Sequence, residues 1–223
     1  SLYGGVSFKY LKGYLKEINI TPPKPLNNAQ MRGSFIGGNN MDMKTAVNHI
    51  ITALGENPVD HVDVRHPTVA IALRHITEIN RELQLPEWWF NTYQVKLEPD
   101  HRGIISVPHD TIKWLSKDIK THVQGGIVVN SKTMEREWDH ALEGRISIEV
   151  PFEEVPYSFA LWVVKEATVR AYISDYGLEE VVQLLQASAF TAQQLVHKEH
   201  LQHRNHSTRN TRLGRKLYYW RDA

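Results

Sequence analysis

The chain has no cysteine among its 223 residues, which excludes disulfides, thiolate metal sites and a thiol nucleophile while leaving the redox compartment open. It also lacks long apolar runs. The longest, such as Phe159 to Val164, fall well short of the roughly 20 residues a membrane span needs. Lys9, Lys12 and Lys16 interrupt the apolar positions near the start, so the charged, apolar and small-residue order of a signal peptide is missing. A soluble protein made in a cytoplasm, with no membrane partner, is expected. There is no GxGxxG after a strand, no P-loop and no GxSxG, so nucleotide binding and α/β-hydrolase chemistry lack a foothold, and no HExxH or HxxEH zinc pattern occurs. No repeat of fixed period is present.

What the chain does have is length enough for a substantial core, and charge unevenly spread. The net charge is only +1, yet residues 1–40 hold five Lys/Arg against one acid and residues 198–223 hold seven against two. Basic ends on an acidic body suit docking on acidic surfaces, nucleic acid or neighbouring copies.

In chain order, residues 1–40 read as an arm: prolines 22, 23 and 25 rule out a helix there, and Gly37-Gly38 marks a linker. Asp42 caps a first helix with Val47, Ile50, Ile51 and Leu54 on one face, ending at Gly55. Pro67 opens a second, with Val69, Leu73, Ile76 and Leu83, ended by Pro86. From Trp88 to Val150 the pattern becomes strand-like, with four strands expected and room for five or six. Within it, Glu87 to Pro108 carries a double tryptophan, a Pro-Asp turn and a second apolar run, and reads as a strand entering a β-hairpin. Gly125-Gly126 reads as a further hairpin turn. Pro156 opens a third helix, apolar nearly all round and hence central, which stops at Gly177. A fourth follows with Val181, Val182, Leu185, Ala189 and Leu195, becoming His-rich toward Asn205.

The fold class is therefore α+β: a bundle of about four helices with a β-rich lobe inserted between the second and third, and flexible arms at both ends. The expected domains are an N-terminal arm (1–40), a helical domain (41–87 and 151–205), a β lobe (88–150) and a basic tail (206–223).

Candidate chemistry is thin. His197, His200, His203 and His206 are the sharpest metal candidates, but a spacing of three drifts by about 60° per step on a helix, so four cannot converge. Glu199 falls between His197 and His200 as H-x-E-H, which is no known zinc signature. Glu153-Glu154 and Glu135/Glu137 could suggest a glycosidase pair, yet adjacent carboxylates do not readily straddle a sugar bond at about 5–9.5 Å. Glu153 and Glu154 fit better at the entry to the third helix, where negative charge suits its dipole. Six tryptophans include possible base-stacking platforms, but beside apolar neighbours they read as core. No catalytic residue, cofactor or metal is expected.

Four segments, AVNHIITALGENPVDHVD (46–63), WWFNTYQVKLEPDHRGIISVPHDTIKWLSKD (88–118), GGIVVNSKTME (125–135) and VPFEEVPYSFALWVVKEATVRAYIS (150–174), carry a resemblance. In order and spacing the chain resembles the tail tubular protein A family, the head-to-tail adaptors or gatekeepers of podoviruses, over residues 41–205. The resemblance implies a ring of twelve copies between the portal and the tail nozzle (tail tubular protein B), tail fibres attached near its rim, and genomic DNA passing without sequence-specific binding. It implies a virion tail component and no catalytic residues. On this expectation His200, His203, Arg204, Arg209, Arg212, Arg215, Tyr218 and Trp220 face the portal. Trp88, Trp89, Phe90 and Phe152 pack at the hinge between helices and β lobe. The alternatives are a tail-associated cell-envelope hydrolase using Glu153 and Glu154, and a DNA-binding protein using its basic ends.

Overall fold

A computed structural model describes residues 40–208, with side chains through residue 204. The arm at 1–39 and the tail from 209 onward lie outside the described residues. Four helices and small antiparallel sheets make the described chain a mixed α+β structure. It divides into two compact units, one formed by Gln84–Glu154 and the other by Asn40–Leu83 together with residues 155–208.

The second unit is helical. Helix α1 (Met43–Ala53) starts where the Asp42 side chain accepts a hydrogen bond from the Thr45 N–H at 2.7 Å, and buries Ala46, Val47, Ile50 and Ile51. It closes in a Schellman motif: the Gly55 N–H bonds Thr52 O and the Glu56 N–H bonds Ile51 O, satisfying carbonyls that the helix end would leave open. Helix α2 (Pro67–Leu83) buries Val69, Ala72, Ile76 and Ile79. Leu73 and Leu83, expected on that face, are only half-buried. Helix α3 (Tyr157–Tyr176) touches α1, α2 and the following helix, α4 (Glu180–Thr208). Its burial of Phe159, Trp162, Val163, Val164, Ala167 and Val169 matches an apolar surface that runs round much of the helix. Helix α4 starts two residues later than Leu178 and runs beyond Asn205, so the first three residues assigned to the tail continue the helix.

The other unit holds five strands: β1 (Thr92–Leu97), β2 (Thr111–Ser116), β3 (Thr121–Gln124), β4 (Ile127–Asn130) and β5 (Leu142–Ile148). Here the hairpin expected within 87–108 is corrected. Strand β1 pairs antiparallel with β5, in the order β1-β5-β2, and residues 104 and 106 form only isolated bridges to Glu137 and Ile127. The Pro99-Asp100 turn is real, with Asp100 Oδ1 accepting from the Arg102 and Ile104 N–H groups, but it leads into an irregular segment. Trp88 and Trp89 precede β1 in a turn and lie in no strand. The β3–β4 hairpin turns on Gly125 and Gly126, both at positive φ, which side-chain-bearing residues rarely adopt in succession.

Alternation along the strands buries Val95, Leu97, Trp114, Val128, Leu142, Ile146 and Ile148 with Ile105 and Trp138 in one core. Trp138 donates from Nε1 to Val128 O at 3.0 Å, so its polar edge is satisfied inside. Gly144 is where the central strand passes closest to β2. A Cβ there would lie 2.3 Å from Leu115 O and 2.7 Å from the Trp114 ring.

Candidate functional site

Helix α4 is 29 residues long and packs chiefly on α3. One side of it, Val182, Ala189, Ala192 and Val196, is buried, and Val182 and Ala189 join Val169 in a small core. Polar contacts fasten both ends: Tyr172 Oη donates to Glu179 at 2.9 Å, and Ser158 Oγ donates to Glu199. The Trp162 and His197 rings lie 6.2 Å apart. Outside that buried side the helix is unexpectedly apolar. Leu184 is 72% exposed and Phe190 59%, and Val181 and Leu195, two of the apolar residues that mark the helix in the sequence, are exposed as well.

His200 and His203 are half-buried on α4 and Arg204 is exposed. Burial, then the nearby Arg204, lowers the His200 pKa from its ordinary value. Arg209, Arg212, Arg215, Tyr218 and Trp220 lie outside the described residues. Among the described residues no three His, Asp or Glu side chains are placed to hold a metal ion. Glu153 is exposed and Glu154 half-exposed in a short 3-10 turn, Phe152–Glu154, while Glu135 and Glu137 lie in an exposed loop.

The α2–α3 contact carries a charged rim. Arg170 donates to both carboxylate oxygens of Glu82, and that bond holds the Glu82 carboxyl below its ordinary pKa. Beside it His75 is buried on α2 with neither ring nitrogen hydrogen-bonded; Glu78 Oε2 stands 4.0 Å from Nδ1, too far to count. Burial lowers its pKa, with Arg74 adding to the effect.

In the strand unit Trp88 and Phe152 are buried and Trp89 and Phe90 half-buried. Trp88 meets Trp89, and Trp89 meets Phe90, edge to face, at 6.3 and 5.1 Å. Holding this stretch is a residue that sequence reasoning missed. Gln84 is fully buried, donates from Nε2 to Val150 O and accepts at Oε1 from the Val150 N–H, both at 2.8 Å. Asn91 extends the network, donating to Gln84 O and accepting from the Trp88 N–H. The unit's first residue is thereby bonded to the end of its last strand region, 66 positions away. Nothing local in the sequence signals this. Asn48 does the same in the helical unit, bonding both the N–H and C=O of Val59 to pin the loop after α1.

The described residues thus form two compact units and a long helix, α4, that leaves large apolar side chains exposed. Residues 45–206 match the tail tubular protein family, and the chain belongs to that family. It is similar to tail tubular protein A of Klebsiella phage KP34, at 26% identity over 174 residues, covering 77% of this chain and 94% of that protein. The chain is thus a structural component of a phage tail.

Proposed function

We propose that the chain is the adaptor between capsid and tail: twelve copies form a ring joined to the portal on one side and to the tail nozzle on the other, with tail fibres attached near its rim. The family match across 45–206, which takes in residues of both units, carries this reading. The described body is acidic overall, as suits a conduit through which DNA slides without being gripped by its phosphates. The β lobe between α2 and α3 is a separate module of the adaptor, and Trp88, Trp89, Phe90 and Phe152 hold the chain where it enters and leaves that module. The C-terminal part of α4 (His200, His203, Arg204) and the basic, aromatic residues after it (Arg209, Arg212, Arg215, Tyr218, Trp220) face the portal. A basic aromatic segment gains most from a large partner surface.

Electron microscopy of the chain mixed with its own portal tests the adaptor, with a twelve-fold collar expected and bare portals refuting it. Deleting residues 209–223, which keeps every described residue of α4, is expected to weaken portal retention without lowering the melting temperature. Unchanged retention refutes the portal-facing assignment.

A further inference from the structure

We propose that α4 makes the seam between neighbouring copies, two separate apolar flanks of this one helix meeting flank to flank around the ring; the inference rests on the ring reading above. At about 100° per residue, the buried side of α4 points one way and its exposed apolar side chains fall into two groups. Val181, Leu184 and Leu195 form one flank, and Phe190 and Leu201 the other. Between them runs a lane of Ala187, Thr191, Gln194 and Lys198, all exposed.

The distribution is specific to this helix. Helices α1 and α2 expose no large apolar side chain, and α3 exposes only Tyr157 and Tyr176 at its two ends. A single foreign partner calls for one patch. Two patches on opposite sides of a polar lane call for two neighbours at once; the helical unit's other bare apolar side chains, Val64, Leu178, Tyr157 and Tyr176, stand singly in loops or at helix ends, so the flank able to cover a flank is the other one, on another copy. That is a heterologous contact, the kind that closes into a ring.

The angle fits. On the same helical geometry the flanks are roughly 130–140° apart on the lane side, whereas neighbours in a closed ring of twelve parallel helices stand ~150° apart. Helices packed ~10 Å apart in such a ring leave a hole roughly 25–30 Å across, lined by the polar lane and wider than a DNA duplex. Size matters too. One flank holds three large apolar side chains and the other two, far fewer than the roughly 20–30 residues a side of a standard two-body interface. Single seams are therefore weak, and closure, which grips each copy twice, is what holds them.

Because the chain has no cysteine, introduced thiols are the only ones it contributes, and cross-links between its copies are read by blotting for this chain. Leu195→Cys and Phe190→Cys, both at exposed positions, are introduced separately and together into the full chain, and assembled tails are treated with a short bismaleimide. With rings visible by microscopy, the double variant is expected to give a ladder of covalent multimers and each single variant none. Rings without that ladder, or dimers from Phe190→Cys alone, overturn the seam while the ring reading stands. Absence of rings in unsubstituted tails overturns the ring reading and the seam with it.

Discussion

Gln84 offers the sharpest test of how the strand unit is held. Its amide presents to Val150 what a paired strand would, one acceptor and one donor at 2.8 Å, and both Gln84 and Val150 are buried. Gln84→Leu keeps most of the volume and removes both bonds. Each of the two buried backbone groups then loses a partner, at about 1–3 kcal/mol apiece. Taken together the expected loss is about 2–4 kcal/mol, toward the lower half because a loosened end admits water. Against a total stability of ~5–15 kcal/mol this is a large fraction. For a chain of this length ~1 kcal/mol corresponds to about 2–4 °C, so the melting temperature should fall by roughly 5–15 °C. Hydrogen exchange supplies the local readout, since the Val150 amide should exchange faster well before global unfolding. Gln84→Glu should do no better, because a carboxylate cannot donate to the Val150 carbonyl and sets oxygen against oxygen. A shift under about 2 °C with unchanged Val150 exchange would refute the clamp.

Gly144→Ala places a methyl group 2.3 Å from Leu115 O, so β5 and β2 must separate. A loss of about 2–3 kcal/mol or more is expected in urea unfolding, and a neutral result would show that the close approach relaxes freely. His75 sets a pH dependence. Its folded pKa lies below the ordinary 6.5, so the unfolded chain binds the proton more readily; its contribution is present above pH 6.5 and is lost as pH falls through the folded value. The groups around it are Arg74 and Glu78 on its own helix and Arg170 and Asp175 on α3. His75→Gln, uncharged throughout, should reduce the slope of the stability profile below the ordinary histidine range; an unchanged profile would exclude His75 as a source.

Helix ends were legible because their causes are local: Asp42, Gly55, Pro67, Pro86 and Gly177 each act within a turn of where they stand. The central place of α3 followed from its all-round apolarity. Strand pairing was not legible. The Glu87 to Pro108 stretch has every sign of a hairpin, yet β1 finds its partner about fifty residues on, where Gly144 lets the central strand pass close beside Trp114. Alternation fixes which face is buried and leaves the partner open, so a nearby run is the natural expectation and long-range packing overrides it. Gln84 and Asn48 escaped for the same reason, since a polar side chain among helix-ending residues announces no partner.

The candidate surface was half legible, and the reason bears on how α4 works. Its histidines and C-terminal charge stood out, whereas Val181 and Leu195 were grouped with the covered Val182 and Ala189 as apolar positions of one helix, with no division into sides. Amphipathic reasoning assumes one apolar side opposite one polar side. A helix with a buried side and two further apolar flanks has little net amphipathicity, so periodicity identifies a helix without counting its partners. Only burial separates the sides: Val182, Ala189, Ala192 and Val196 are covered by the chain itself, while Leu184, Phe190, Leu195 and Leu201 are left bare. Exposed apolar side chains scattered singly are ordinary, so it is their arrangement in two flanks along one helix that gives the proposed seam its content. On that proposal these side chains are the part of the core that assembly, not folding, completes.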